Sequence, residues 1–256
     1  MPTPRVLVLR APGTNCDQET AFAFERAGGK AELCHVNRLL ESPEQINAYQ
    51  ILCLPGGFSF GDDIAAGRIL GNMFRHHLPE ALAEFRAAGK LILGICNGFQ
   101  VLIKSGVLLA EDERGAAATL TWNDSGRYED RWVNLAVTGD RCVFLRGLER
   151  LHLPVAHAEG KFVARDADTL AALDRHGQLV LRYVGSQPGD VVPYPENPNG
   201  AQANVAGICD ETGRVLGLMP HPERHIDPTQ HPQWTRRGPA AAGDGLALFR
   251  NAVAYF

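Results

Sequence analysis

One cysteine sits between two glycines in Gly94-Ile95-Cys96-Asn97-Gly98, where the apolar run KLILGI (90–95) gives way to the helical pattern NGFQVLIKSG (97–106). This is the G-x-nucleophile-x-G form of a strand-to-helix elbow, with cysteine in the nucleophile position. Glycines on either side allow a tight turn. A helix N-terminus beside the sulfur favours the thiolate through its dipole and free N–H groups. The same five residues would also suit a buried cysteine at an ordinary strand–helix junction, so the motif needs partners.

Two other segments supply them. In LCLPGGFSFGDD (52–63) a strand ends at Pro55 and Gly56-Gly57 opens a loop. Glycines there let backbone N–H groups face a ligand, as an oxyanion hole requires. In RVLGLMPHPERH (214–225) a strand leads to His221 and Glu223. In extended backbone residues two apart share a side. Cysteine, histidine and carboxylate then make a nucleophile, its base and an orienting third member. A metal site is the competing reading, because His225 and His231 lie close by. The H-x-E of zinc deaminases is present at 221–223 without P-C-x-x-C, and H-E-x-x-H is absent. His76-His77 have no fitting partner spacing and read as solvated.

The elements that must position these residues follow from periodicity. RVLVLR (5–10), AELCHV (31–36), YQILCLP (49–55) and KLILGI (90–95) read as strands. DQETAFAFERAG (17–28) reads as a helix, capped by Asn15 or Asp17 and ended by Gly28-Gly29. ILGNMFRHHLPEALAEFRAAG reads as helical with a break before Pro79. Strands apolar at nearly every position are those covered on both faces, so the order points to a parallel sheet between helices. The carboxyl ends of its strands are where such a sheet places a site. From about 118 to 220 the runs RWVNLAV, LHLPVAH, LVLRYV, ANVAGIC and RVLGLMP read as antiparallel additions and loops closing over the sheet. GDGLALFRNAVAYF (243–256) reads as a final amphipathic helix, and PAAAG (239–243) as a loop.

The chain has 256 residues, of which 45% are hydrophobic, and no linker-like stretch divides it; one domain over 1–256 is expected. The net charge of −4, from 25 basic and 29 acidic residues, gives no reason to expect nucleic acid or an anionic membrane as partner. No apolar run approaches the roughly 20 residues that span a bilayer, and MPTPRVLVLRAPG reads as a first strand rather than a signal peptide. Six scattered cysteines without a C-x-x-C pair point to a reducing, cytoplasmic setting, with neither a disulfide framework nor structural zinc.

Taken in order, Gly-Ile-Cys-Asn-Gly-Phe-Gln, Pro-Gly-Gly and His-Pro-Glu resemble the class I, triad-type glutamine amidotransferases. Finer matches run through nearly the whole chain: PGTNCD (12–17), PGGFSFGDDIAAG (55–67), NDSGRYEDRWV (123–133), HAEGKF (157–162), NPNG (197–200) and GLMPHPER (217–224). Two departures stand out: Ala158 occupies a position where the family usually has glycine, and 225–238 is longer than in compact members.

The resemblance implies an α/β three-layer sandwich, flavodoxin-like, with a mainly parallel central sheet and antiparallel additions. It implies that Cys96 attacks the side-chain amide of glutamine and that His221 is the base, oriented by Glu223. Gly57 and Asn97 would supply the oxyanion N–H groups. Gln100, Gly56, Glu159 and Gly160 would bind glutamine, and no metal takes part. A γ-glutamyl thioester would form and be hydrolysed to glutamate and ammonia. The ammonia implies a partner, a synthetase subunit binding ATP and Mg²⁺, with a small accessory subunit as a further candidate. No cofactor is expected on this chain, which has no G-x-x-x-x-G-K-[ST] loop. Two other classes stay open at this point: a different cysteine hydrolase on the same fold, and a binding module with a dead site.

Overall fold

The computed structural model describes residues 3–185, 192–238 and 240–256; Pro239, the first residue of the expected 239–243 loop, lies outside them. Eleven strands and eight helices are found among these residues. In chain order they are β1 (Arg5–Arg10), α1 (Asp17–Arg26), β2 (Lys30–His35), α2 (Val36–Glu41), β3 (Ile51–Leu54), α3 (Arg68–His77), α4 (Pro79–Ala87), β4 (Leu91–Ile95) and α5 (Asn97–Lys104). There follow β5 (Ala118–Thr121), β6 (Glu129–Val137), β7 (Arg150–His157), β8 (Lys161–Ala164), α6 (Ala167–Arg175), β9 (Leu181–Tyr183), β10 (Val205–Cys209), β11 (Val215–Leu218), α7 (Trp234–Arg237) and α8 (Leu246–Ala254).

Nine strands form one sheet in the order β2-β1-β3-β4-β11-β10-β9-β6-β7. From β2 to β11 neighbours run parallel; from β11 to β7 they run antiparallel. β3, β4 and β11 are buried at every position, as double coverage demands. α1 and α8 pack together through an edge-on contact of Phe24 and Phe249, centroids 4.9 Å apart. α5 packs against β3, β4 and β11, with α3 beside it. β5 and β8 form a separate antiparallel pair.

The expected break before Pro79 falls between α3 and α4, and Gly28 ends α1 in the left-handed region (φ 96°). Two expectations are corrected. The residue at the N-terminal boundary of α1 is Cys16, with no side-chain cap, and not Asn15 or Asp17; Asp17 is drawn instead into an ion pair with Arg10 at 2.6 Å. RVLGLMP is not an antiparallel addition. Its strand β11 pairs parallel with β4, Gly94 opposite Gly217 and Ile95 opposite Leu218. It is also the second strand of a hairpin with β10, whose turn is fixed by the Asp210 carboxylate accepting from the N–H groups of Arg214 and Val215, each at 3.0 Å. The hairpin turn resembles the surrounding antiparallel sequence, while the apolar run belongs to the buried centre.

Candidate active site

The carboxyl ends of β3, β4 and β11 lie side by side and carry the three sequence motifs. The turn after β4 holds Cys96 at the N-terminal boundary of α5 with φ 50° and ψ −104°. That conformation is rare for a side chain other than glycine and is a hallmark of strained functional turns. The backbone N–H of Cys96 donates to Leu218 O at 2.8 Å, tying the elbow to β11. The flanking glycines serve close approach: neither has positive φ. A Cβ on Gly98 would stand 1.9 Å from Leu54 O, and one on Gly94 would stand 2.6 Å from Leu102 Cδ1 and 2.7 Å from Gly98 O. α5 can therefore lie directly on β3 and β4, and Asn97 at its first position has an N–H with no acceptor within the helix.

His221 and Glu223 leave β11 in a turn, not in extended backbone as the i, i+2 argument supposed: Glu223 lies in a short 3-10 segment, Pro222–Arg224, with His221 at its start. The turn brings the two together all the same. His221 Nδ1 is 2.6 Å from Glu223 Oε1; a carboxylate only accepts, so Nδ1 carries a proton held by Glu223 and Nε2 is the nitrogen left for proton exchange. Both residues are buried, and the His221 N–H donates to Pro154 O at 2.9 Å. His221 Nε2 has no hydrogen-bond partner among the described residues. Burial opposes a positive charge on this ring, but the Glu223 carboxylate and the Cys96 sulfur outweigh it and hold its pKa well above the ordinary histidine value.

A cavity of about 40 Å³ beside Cys96 is lined by Gly57, Asp62, Gln100, Ala156, His157, Ala158 and Glu159, among others. The Cys96 thiol donates weakly to Ala156 O at 3.6 Å. Gln100 Nε2 donates to Glu159 O (2.7 Å), and Asn97 Nδ2 donates to Gln100 Oε1 (2.9 Å) and Asp62 Oδ1 (3.1 Å). Both Glu159 carboxylate oxygens accept from Ala66 N at 3.3 Å. Burial raises the Asp62 pKa above the usual range.

Of the residues singled out in the sequence, Cys96, Gly57, Gln100 and Glu159 meet at this cavity, and His221 and Glu223 stand behind the sulfur. Gly56 and Gly160 do not line it. Gly56 packs against His221 and Cys16, where an added Cβ would be 2.7 Å from His221 Cε1. Gly160 lies against the His157 ring, its N–H donating to Asn123 Oδ1 (3.1 Å) and its carbonyl accepting from Asn199 Nδ2 (2.8 Å).

His157 and Asp62 were not singled out, although both lie in quoted motifs. His157 is buried, and burial followed by the nearby His221 lowers its pKa to about 3, so it is neutral. Asn123 holds this wall: it donates to Arg127 O and His157 O, and accepts from Gly160 N. Ser125 and Arg131 both bind the buried Glu129 carboxylate. The segment 225–238 packs His225 and His231 against Trp132, with centroids 5.0 and 4.3 Å away.

A buried cysteine beside a cavity, with a buried histidine–glutamate pair at the same carboxyl edge of a parallel sheet, is the arrangement of a base-activated nucleophile in acyl transfer. The model of the CobB/CobQ-like glutamine amidotransferase domain matches residues 3–256, and the chain belongs to that family. The chain is 47% identical over 250 residues to phosphoribosylformylglycinamidine synthase subunit PurQ of Dehalococcoides mccartyi, covering 97% of this chain and 96% of that one. It is 41% identical over 266 residues to PurQ of Methanococcus maripaludis, covering 99% and 97%. Among solved structures, PurLQS from Thermotoga maritima is similar, with a TM-score of 0.74, 30% identity and 99% of both chains covered.

Proposed function

We infer that this chain is the glutaminase subunit of phosphoribosylformylglycinamidine synthase in purine biosynthesis, hydrolysing glutamine and passing ammonia to a synthetase subunit. The observation that carries the chemistry is the 2.6 Å bond from His221 Nδ1 to Glu223, which commits Nδ1 and leaves Nε2 to exchange a proton with Cys96. In this reading Nε2 takes the thiol proton as Cys96 attacks the amide carbon. The backbone N–H groups of Gly57 and Asn97 receive the developing oxyanion, an interaction worth roughly 3–4 kcal/mol per donor in other enzymes. His221 then protonates the leaving ammonia and activates the water that releases glutamate. Gln100 and Glu159 hold the substrate, assisted by Asp62. Residues 1–256 act as one domain in the cytoplasm; among the described residues no helix is long and apolar enough to cross a membrane.

The synthetase partner binds ATP, Mg²⁺ and formylglycinamide ribonucleotide and makes formylglycinamidine ribonucleotide from the ammonia. A small accessory subunit completes the complex, and this chain needs no cofactor of its own. In this reading glutamine enters as the loop after β3 rearranges, where Phe60, Gly61 and Asp62 all lie at positive φ, a strained conformation that a second state would relieve. Docking of the partner is the natural trigger, which keeps ammonia from being released without an acceptor.

The test is nitrogen-source dependence of the reconstituted complex. Cys96→Ala is expected to abolish synthesis from glutamine and to leave synthesis from an ammonium salt intact, with a rate that rises with pH as free ammonia increases. Loss of both activities in an assembled complex would overturn the division of labour.

A further inference from the structure

Cys16 is a second sulfur beside His221, and the glutaminase chemistry gives it no task. The PGTNC loop runs over Pro55-Gly56-Gly57, with Cys16 N–H donating to Gly56 O at 3.2 Å, and leaves the side chain 1% exposed. The other buried cysteines outside the elbow belong to the apolar core; Cys16 faces polar groups. Its thiol donates to Asn15 Oδ1 and its sulfur accepts from Arg224 Nη2, each at 3.2 Å. Arg224 is in turn paired with Glu19 at 2.9 Å. The Nδ1–Cε1 edge of His221 and Cys16 Sγ border one point beside the Gly56 backbone: a Cβ there would be 3.3 Å from Nδ1, 2.7 Å from Cε1 and 3.0 Å from the sulfur. The Cys16 sulfur, an imidazole nitrogen of His221 and a carboxylate oxygen of Glu223 all lie within 4.8 Å of one another. A second observation points to a ligand. Glu223 Oε2 is buried without a hydrogen-bond partner among the described residues, on a side chain 0% exposed.

One thiolate, one imidazole and one carboxylate form the donor set of zinc and its borderline-soft neighbours. We propose that Cys16, His221 and Glu223 form an inhibitory site for a thiophilic divalent cation, of which Zn²⁺ is the type. The ion replaces the Nδ1 proton between His221 and Glu223 and takes Cys16 Sγ as third ligand, with water in the fourth position. The metal-bound ring stays a neutral imidazole with its one proton on Nε2, and the thiol proton leaves to solvent. Bond lengths of about 2.0–2.3 Å require the three donor atoms, now within 4.8 Å of one another, to draw closer around the ion. With Nδ1 on the metal and the ring proton on Nε2, that nitrogen has no lone pair to accept the Cys96 thiol proton, and Glu223 no longer stabilises a positive ring. Glutamine hydrolysis stops, while the fold and ammonia-dependent synthesis by the partner are unaffected. The inhibition rests on the glutaminase reading; the binding does not.

The experiment titrates the whole chain with Zn²⁺ against a chromophoric chelator, and with Co²⁺ for its thiolate-to-metal charge-transfer band. Wild type and Cys96→Ala are expected to bind one tight Zn²⁺ and to show the band. Cys16→Ser is expected to lose the band and to bind Zn²⁺ at least about tenfold more weakly, since even outer-sphere partners of a metal site are worth that much. In the reconstituted complex Cys16→Ser should keep basal glutaminase activity and need at least about tenfold more Zn²⁺ for inhibition. Cys16→Ala, with a thermal melt of each variant, separates loss of the ligand from loss of the fold. Tight binding that survives Cys16→Ser and Cys16→Ala but disappears in Cys96→Ala would place the ion on the nucleophile and overturn the proposal, as would no tight binding in wild type. Should wild type bind Zn²⁺ in this pattern yet hydrolyse no glutamine, the glutaminase reading fails and the metal site stands.

Discussion

The two halves of the sheet divide the work. The parallel half ends three neighbouring strands at one edge, and the turns after β3, β4 and β11 carry Gly57, Cys96 and the His221–Glu223 pair. The antiparallel half contributes a wall: Ala156 and His157 at the end of β7, and Ala158 and Glu159 in the turn before β8, close the cavity over the sulfur. Parallel strands must return through a crossover, so their ends gather loops from distant parts of the sequence. Antiparallel strands return directly and present a continuous surface. In the proposed mechanism one half assembles the reacting groups and the other shapes what reaches them.

That contrast predicts effects of different kind and size. At the parallel edge, His221→Ala removes the base and should lower glutamine turnover on the order of 10³-fold or more, with Glu223→Ala losing less, on the order of 10²-fold. Equal and small losses in steady-state kinetics would break the comparison. The elbow should also be the less tolerant backbone. Gly98→Ala places a Cβ 1.9 Å from Leu54 O, whereas Gly126, at φ 64° in the loop before β6, has nothing within 4 Å. Denaturant unfolding should show a loss of about 3 kcal/mol or more for the first and about 1 kcal/mol for the second. On the wall, Glu159→Gln should act on binding, raising KM about tenfold through a weakened charged contact with little change in kcat. A fall in kcat alone would place Glu159 among the reacting groups.

The last effect is one of pH, read as a slope. His157 is lowered from the usual value near 6.5 to about 3, chiefly by burial. Between those values the unfolded chain binds the proton that the folded chain refuses, so stability falls as pH drops through 6.5 toward 3, by at most about 1.4 kcal/mol per pH unit. In His157→Gln the pH dependence of unfolding should shrink by about one proton across that window. An unchanged slope would mean that His157 is accessible to protons in the folded state.

The parallel half was the more legible in the sequence for the same physical reason that it carries the chemistry. Runs apolar at every position, punctuated by Gly56-Gly57 and by Gly94 and Gly98, announce both buried strands and the turns between them. The placement of β11 was not legible, because its hairpin with β10 has the local signature of an antiparallel ribbon, and only the register with β4 reveals its neighbour. The His221–Glu223 pairing was read correctly from spacing but through the wrong geometry, since Pro222 turns the chain where extension was expected. His157, Asp62 and Cys16 escaped notice as site residues because each reaches the site by long-range packing.

Cys96 and Cys16 both stand near His221, and of the two only Cys96 lines the cavity. The most direct measurement mixes the glutaminase-competent complex with glutamine, quenches it in acid within a turnover, and maps the γ-glutamyl adduct by mass spectrometry. The adduct is expected on Cys96 in wild type and in Cys16→Ser, and on no residue in Cys96→Ala. Glutamate released at the wild-type rate by Cys96→Ala, or an adduct found on Cys16, would contradict the assignment of the elbow cysteine as nucleophile.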